Sequence, residues 1–201
     1  MHRPTRRLLT TLLVTLALAA PTAASAAPSD GSGEGTHTVD EYLATLTPTE
    51  RADFVETMLP ARTIASSTSV PTNMQAVLTL RGAVLPMATT KCWTIRQTVT
   101  AYAWAGNALY TAYHVGGWCA TGKTVVSAKT SEYGGQPTMA GWRYAGKADG
   151  GSRVVLNEGR SFTQFKFILG TGGWDIQTHM PCARVRGTAK GAYTDTVCGV
   201  R

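Results

Sequence analysis

The stretch from Cys92 to Cys119 limits the possible folds more than any other part of the sequence. It holds two runs rich in Thr, Tyr, Val and Trp, which meet at Gly106-Asn107 and end at the two cysteines. Such runs around a Gly-Asn pair are typical of a β-hairpin, because a tight turn needs residues that adopt a positive φ. We therefore expect a two-stranded antiparallel ladder here.

Turn position predicts which cysteines pair. With Gly106-Asn107 as a two-residue turn, Cys92 faces position 121, and the two cysteines of the hairpin lie two positions apart on one side of the ladder. A later hairpin centred on Lys190 places Cys182 opposite Cys198. We therefore favour the pairs Cys92–Cys119 and Cys182–Cys198, and a crossed arrangement that joins the ends of the chain stays open.

Short strand patterns separated by glycine-rich turns continue after this hairpin. They predict an all-β fold, an antiparallel β-sandwich that is Ig-like or jelly-roll-like. No helix of useful length fits after residue 60, which argues against a parallel α/β fold. The predicted strands are Trp93–Trp104, Ala108–Val115, Thr124–Tyr133, Trp142–Lys147, Arg153–Asn157, Phe162–Leu169, Trp174–His179, Cys182–Arg186 and Tyr193–Val197.

The first residues predict export. Three arginines precede an apolar run of 13 residues, Leu8 to Ala20, and Ala24-Ser25-Ala26 fits a cleavage site for a signal peptide. An uncleaved membrane anchor is the alternative, although the apolar run is short for a bilayer. No later segment approaches membrane-spanning length. We expect a secreted protein, in which four cysteines favour disulfides over a metal site.

The segment between the signal peptide and the hairpin contains two short helical patterns. Thr38 and Thr47 are candidate N-caps, and Thr47-Pro48-Thr49-Glu50 is a capping box with Pro at the first helical position. Pro60 ends the second pattern, and packing on the β domain is the simpler role for helices this short. Further strand segments are expected at Ala76–Leu80 and Ala83–Leu85. The predicted organisation is signal peptide 1–27, flexible linker 28–37, amphipathic helices 38–60, loop or linker 61–75 and disulfide-bonded β-sandwich 76–201.

Charge is unevenly distributed along the chain. Residues 28–87 carry a net charge of −4, whereas residues 88–201 hold thirteen basic and five acidic residues, a net charge of +8. A basic exported domain suits anionic polymers or acidic partners, although solvated surface explains the same excess. No run of Lys or Arg resembles a nucleic-acid patch, so no nucleic-acid partner is expected.

The two faces of the predicted hairpin differ. One carries small apolar side chains with Tyr110 and His114, as a core face would. The other carries Thr98, Thr100, Tyr102, Trp104, Leu109, Thr111, Tyr113 and Val115. If this second face meets solvent, Tyr102, Trp104 and Tyr113 form an aromatic platform for sugar rings or peptide side chains; if another sheet covers it, the face is core.

Three Gly-Trp steps supply further candidate ligand-binding residues, Trp118, Trp142 and Trp174. Turns at one end of a sandwich would bring these tryptophans together as a binding rim. The alternative is that each glycine makes a turn or bulge and each tryptophan packs inward.

Catalysis finds little support in the sequence. The histidines and carboxylates show no metal-ligand spacing, there is no G-x-S-x-G and no phosphate-binding glycine loop, and no cofactor or metal is expected. A hydrolase would have to combine Glu132 or Asp175 with a histidine. His114 lies on the small apolar face and is more simply a core or rim residue.

Together, RRLLTTLLVTLALAAPTAASA, LTPTERADFVETM, the CW…GWC…GW pattern and a cysteine-rich C-terminus resemble small secreted proteins of high-GC Gram-positive bacteria that have no assigned function. The resemblance implies export and no particular activity.

The leading functional hypothesis is a secreted, non-enzymatic binding module or adaptor whose partner is a cell-envelope glycan or another exported protein. A secreted inhibitor or toxin-like factor that presents the disulfide-fixed loop Gly116–Gly122 is one alternative. An extracellular hydrolase is the other.

Overall fold

The computed structural model describes residues 37–70 and 90–201. The predicted signal peptide, most of the predicted linker and the predicted strand segments at 76–80 and 83–85 lie outside these residues. Two helices precede the strands in the described part. The elements are α1 Val39–Ala44, α2 Pro48–Met58, β1 Pro60–Val70, β2 Thr90–Ala103, β3 Ala108–Thr121, β4 Thr124–Pro137, β5 Trp142–Val155, β6 Glu158–Thr171, β7 Trp174–His179, β8 Cys182–Gly187 and β9 Ala192–Asp195.

The described strands form two antiparallel sheets. The first has the strand order β1-β2-β3-β4; the second has the order β5-β6-β8-β9, with β7 also paired to β6. The predicted all-β antiparallel sandwich is therefore confirmed. The apolar core between the sheets includes Val99, Ala101, Leu109, Tyr110, Ala112, Trp142, Phe165, Phe167, Leu169, Ile176 and Ala183.

Both helices begin at the predicted caps. Thr47 Oγ1 accepts a hydrogen bond from Glu50 N at 3.3 Å, and Glu50 Oε2 accepts one from Thr47 N at 2.9 Å, which satisfies two amides at the start of α2. Helix α2 ends at Met58, before Pro60, and its residues Phe54 and Met58 pack on the core. Neither helix in the described ranges has the length and apolarity that crossing a membrane requires.

The prediction of a loop over 61–75 is wrong for its first ten residues, because β1 runs from Pro60 to Val70 and pairs with β2. Pro60 is tolerated as the first residue of an edge strand, where its missing N–H costs no ladder hydrogen bond. Most of β1 is exposed on both sides. Its Ser and Thr residues therefore lack the alternation of apolar and polar residues that identifies a half-buried strand.

The predicted register of the central hairpin is wrong by two positions. Cys92 lies directly opposite Cys119, and these residues form a disulfide. The turn is longer than predicted, since Ala103 N donates to Asn107 O at 3.0 Å and leaves Trp104 inside the turn. A shift by two preserves which face each side chain occupies, so most of the predicted division into two faces survives.

The segment predicted as two strands around Asp149-Gly150-Gly151 is the single strand β5. It pairs with β6 along its length, with register shifts on either side of Lys147 that accommodate the extra residues. The turn between β5 and β6 is Leu156-Asn157, where both residues have positive φ. Residues 158–161, which fall between the predicted strands Arg153–Asn157 and Phe162–Leu169, belong to β6.

The C-terminal hairpin has the second predicted disulfide, Cys182–Cys198. Its ladder pairs Arg184 with Asp195 and ends there, so Cys198 lies beyond the strand rather than opposite Cys182 within it. Both predicted cysteine pairs are therefore present, whereas the predicted registers are not.

Candidate functional site

The outward face of the first sheet is open to solvent, because the second sheet packs on its other side. We call it the tyrosine face. It consists of the outward side chains Arg62, Ile64, Arg96, Thr98, Thr100, Tyr102, Thr111, Tyr113, Lys129 and Glu132. Ile64 is 49% exposed, whereas the inward neighbours Val99 and Ala101 are 1% and 0% exposed. Within residues 37–70 and 90–201, therefore, no second sheet covers this face.

Two residues predicted for this face are buried instead. Leu109 has no partner in the ladder, because the register shifts between Ala101 and Tyr102, and it belongs to the core at 0% exposure. Its carbonyl oxygen accepts hydrogen bonds from the backbone of Thr138 and Met139. Val115 points outward but is 6% exposed.

Several contacts hold the side chain of Tyr113 in place on the tyrosine face. The guanidinium carbon of Arg96 lies 3.7 Å from the centroid of its ring, and its hydroxyl donates to Glu132 Oε1 at 2.6 Å. The ring leans over Gly134, where a Cβ would lie 2.8 Å from the ring edge. The hydrogen bond to Glu132 is the main cause of a raised pKa at Tyr113, so the phenol stays a protonated donor at neutral pH.

Tyr102 forms a second arginine–tyrosine pair on the same face. Arg62 lies opposite it in the ladder, with the guanidinium carbon 5.3 Å from the ring centroid. Threonine hydroxyls separate the two tyrosines, and those of Thr100 and Thr111 are 3.3 Å apart across the strands. The face therefore presents rings, hydroxyls and cationic edges side by side.

Trp104 lies at one end of this face, in the turn between β2 and β3, and is 72% exposed. Helix α2 fixes the turn, since Ala105 N donates to Glu56 O at 2.9 Å and Asn107 Nδ2 donates to Thr57 O at 3.0 Å. An exposed indole on a held turn is available for contact with a ligand.

Two of the predicted ligand-binding tryptophans are interior. Trp118 is 3% exposed, and its indole N–H donates to Thr188 O at 3.0 Å. Trp142 is 4% exposed, and its indole N–H donates to Met58 O at 3.1 Å. Both polar groups are satisfied, and neither ring has surface to offer, so we leave these residues out of the candidate site.

The third Gly-Trp tryptophan lies on the other sheet. Trp174 begins β7, is 37% exposed and stacks on His37 with ring centroids 4.0 Å apart. The three Gly-Trp tryptophans therefore do not meet in an exposed rim. Of the six predicted aromatic residues, Tyr102, Tyr113 and Trp104 lie on or beside the tyrosine face.

The cations of this face were not among the residues predicted to bind a ligand. Arg96 has the same alternation as Thr98 and Tyr102, so the period of two already places it on their side of β2. To place Arg62 and Lys129 on this face, one has to know how β1 and β4 pair in the sheet, and β1 was not expected as a strand. Lys129 lies over Gly117, with its Cε 3.4 Å from where a Cβ would stand.

His114 lies in the interior between two hydroxyls. Its Nδ1 is 2.9 Å from Thr163 Oγ1 and its Nε2 is 2.9 Å from Ser161 Oγ. Burial lowers the pKa of His114 to about 4, so the imidazole is neutral at ordinary pH. Ser161 is 2% exposed and cannot meet a substrate, and this arrangement is a satisfied polar group of the core.

The acids proposed for a hydrolase are on different sheets. Glu132 is in β4 and accepts from Tyr113, whereas Asp175 is in β7 and pairs with Arg143. Among the described residues, neither His114 nor His179 hydrogen-bonds to a carboxylate; His179 contacts the hydroxyl of Tyr110. These ranges also contain no group of three or more His, Cys, Asp or Glu side chains that could hold a metal ion.

The segment Gly116–Gly122, expected as a disulfide-fixed loop, is not a loop. Strand β3 continues to Thr121 and pairs with β2 and β4 on either side. The expectation is wrong because Gly116 marks close packing between the sheets rather than a turn. A Cβ on Gly116 would lie 2.3 Å from Ser161 Oγ.

No family model matches this chain, and the searches of curated proteins and of solved structures returned no significant match.

Proposed function

We propose that the protein is an exported binding module that holds a glycan on the tyrosine face. The observation that carries the proposal is the position of Tyr102 and Tyr113, which lie on one uncovered sheet face with threonine hydroxyls between them. Sugar rings have apolar faces that pack on aromatic rings and hydroxyls that pair with Thr, Tyr and Arg. The face supplies each of these groups.

The composition of the face favours a glycan over a protein partner. Protein interfaces have an apolar, well-packed centre surrounded by a polar rim. The substantially exposed aliphatic side chains of the first sheet, Ile64 and Val126, lie on its outer strands β1 and β4. The centre of the face is instead made of threonine and tyrosine.

Export is supported by two independent features. The sequence begins with the charged, apolar and small-residue pattern of a signal peptide. The folded domain has two disulfides, which persist in oxidising compartments outside the cytoplasm.

Binding of the mature protein to purified cell-envelope polysaccharides, measured by affinity electrophoresis and calorimetry, tests the proposal. Loss of a stacked ring is worth about 0.5–1.5 kcal/mol, so we expect Tyr113→Ala and Tyr102→Ala each to weaken binding roughly two- to tenfold. Thermal unfolding of each variant checks that the fold is retained.

Tyr193→Ala is the matched control. Tyr193 is on the second sheet, lies under Arg186 with a guanidinium-to-centroid distance of 4.5 Å and donates to Glu158 Oε1 at 3.1 Å, much as Tyr113 does with Arg96 and Glu132. Equal losses in Tyr193→Ala and Tyr113→Ala would contradict the proposed location. Capture of an exported protein through the tyrosine face, with no polysaccharide bound, would contradict the proposed ligand.

A further inference from the structure

The two sheets differ in how their cationic side chains are paired with carboxylates. The second sheet pairs four of its five arginines with carboxylates: Arg143 with Asp175, Arg160 and Arg186 with Glu158, and Arg184 with Asp195. The fifth, Arg153, is exposed and makes no ion pair with a described residue. Strands β1 to β4 of the first sheet hold four cationic residues and one carboxylate, Glu132. In the described ranges, no ion pair joins any of these four cations to a carboxylate.

The contrast is sharpest between the two arginine–tyrosine pairs that have a neighbouring glutamate. On the second sheet, Glu158 accepts from Arg186 Nε at 3.0 Å as well as from the Tyr193 hydroxyl. On the tyrosine face, Glu132 accepts from the Tyr113 hydroxyl and makes no ion pair with Arg96. The guanidinium of Arg96 therefore keeps donors that no carboxylate in the described residues uses.

Three of the four cations, on β1, β2 and β4, follow one another in the direction of the strands. Arg62 lies opposite Tyr102, and Arg96 is six positions away along β2, about 20 Å at the rise of an extended strand. Lys129, over Gly117, continues the row past Arg96, since Gly117 pairs with Thr94. A linear ligand lying along the strands would meet cations repeatedly.

We propose that the ligand of the tyrosine face is an acidic glycan, a linear polymer whose carboxylate or phosphate groups pair with Arg62 and Arg96 while its sugar rings pack on Tyr102 and Tyr113. This inference rests on the proposed function and narrows its ligand. Arginine offers a planar fork of donors that matches carboxylate and phosphate oxygens, and its stacking on tyrosine holds that fork in place. On the tyrosine face, the anionic groups of the ligand would pair with the arginines as Glu158 and Asp195 do on the second sheet.

The test compares a charged polymer with its uncharged counterpart and adds a phosphate-bearing glycan. The probes are a polyuronate, the same polymer after its carboxyl groups have been reduced to alcohols, and a linear glycan whose sugar rings are joined by phosphodiesters. We expect the mature protein to bind the polyuronate or the phosphate polymer on the order of tenfold more tightly than the reduced polymer, and the difference to shrink as salt is added. The polymer preferred then identifies the anionic group.

The variant Arg62→Gln/Arg96→Gln should bind the acidic polymer no better than the reduced one. The matched control is Arg153→Gln/Lys190→Gln, which removes the same charge from exposed positions of β5 and the β8–β9 loop and should change binding little. Arg62→Lys/Arg96→Lys keeps the charge but loses the planar fork, and should fall between the wild type and the glutamine variant.

Failure of this inference differs from failure of the proposed function. Equal binding of the charged and reduced polymers, weakened by Tyr113→Ala, would overturn the acidic ligand and leave the glycan-binding face intact. Equal losses in the two double glutamine variants would reduce the effect to net charge and overturn the inference as well. Binding that survives changes in both tyrosines and both arginines, or no binding to any polymer, would contradict the site itself.

Discussion

Trp118 packs its indole ring against Gly187, where a Cβ atom would lie 2.1 Å from two atoms of the ring. The ring is held by its hydrogen bond to Thr188 O and by its position in the core cluster with Val125 and Val185. Trp118 fills its site only because strand β8 carries no side chain there.

We therefore expect Gly187→Ala to lower the free energy of unfolding by about 1–3 kcal/mol, because a rigid buried ring has to move to admit the methyl group. The measurement is urea unfolding followed by tryptophan fluorescence. Gly191→Ala is the control, since a Cβ at Gly191 meets no atom within 4 Å. A Gly187→Ala variant as stable as Gly191→Ala would contradict this packing.

The buried imidazole of His114 predicts a loss of stability in mild acid. Burial lowers its pKa to about 4, below the value of about 6.5 for an unfolded chain, so the unfolded state takes up a proton first as pH falls. Stability from this group is complete above about pH 7 and declines as pH falls from 6.5 towards 4. Between pH 7.5 and 5.5 the loss is roughly 1.4 kcal/mol.

Urea unfolding at pH 7.5 and 5.5 measures this loss at pH values above those at which most carboxylates titrate. Burial also lowers the pKa of His179, which adds a loss of the same sign. In His114→Gln, whose amide keeps one donor and one acceptor between Ser161 and Thr163, the difference between the two pH values should shrink by most of this amount. An unchanged difference would show that His114 does not titrate as its burial requires.

The sequence anticipated the strands that have one buried face, because alternation of apolar and polar residues reports burial directly. It missed β1, in which Ile64, Ser66 and Thr68 face solvent and the residues between them are exposed as well. It also divided β5 at Asp149-Gly150-Gly151, whose turn-like composition instead accommodates irregular pairing with β6. Local composition does not distinguish a bulge from a turn, because pairing with the partner strand determines which of the two forms.

Side-chain alternation along the strands also explains which part of the candidate site the sequence predicted. Tyr102 and Tyr113 were placed on one face because side chains alternate along each strand whatever the register. Their arginine partners depend on register and on β1. In the predicted register Tyr113 faces Thr100, whereas in the structure it faces Thr98, beside Arg96. A shift of two positions leaves the faces unchanged but changes every cross-strand neighbour.

Glu158 should be a stability determinant, unlike Glu132 on the opposite sheet. Its Oε2 accepts from Arg160 Nε at 2.9 Å and from Arg186 Nε at 3.0 Å, and the Arg160 side chain is 9% exposed. Glu158→Ala leaves a nearly buried guanidinium without its carboxylate, and we expect a loss of about 2–3 kcal/mol in the free energy of unfolding.

Glu132→Ala provides the comparison for Glu158→Ala. Glu132 is exposed, its one hydrogen-bond donor among the described residues is Tyr113, and water replaces the carboxylate readily. We expect a change below about 0.5 kcal/mol. Chemical denaturation at pH 7.5 measures both losses, and the loss in Glu158→Ala should persist at high salt because the Arg160–Glu158 pair is shielded from solvent. Equal effects of the two substitutions would contradict the assigned roles.

Gly134 and Gly135 are neighbours in β4. Alanine at Gly135 should mainly lower stability, whereas alanine at Gly134 should mainly weaken binding. A Cβ on Gly135 would point into the core, 2.6 Å from the Tyr144 ring and 2.7 Å from the ring of Phe167, which is 0% exposed. A Cβ on Gly134 would point outward and meet the Tyr113 ring, which lies on the solvent side of the sheet and can move outward if it gives up its contacts with Arg96 and Glu132. Gly135→Ala should therefore cost about 1–3 kcal/mol of stability, and Gly134→Ala less than about 1 kcal/mol.

Glycan binding should be affected in the reverse order, more by Gly134→Ala than by Gly135→Ala. Gly134→Ala lifts Tyr113 from the sheet and separates it from Arg96, so we expect weaker glycan binding by a domain of nearly unchanged stability. Gly135→Ala leaves the tyrosine face in place and should bind normally once folded. Thermal unfolding and affinity electrophoresis on the two proteins measure both quantities. If the less stable variant were also the weaker binder, binding would follow the integrity of the core rather than the position of Tyr113 on the face.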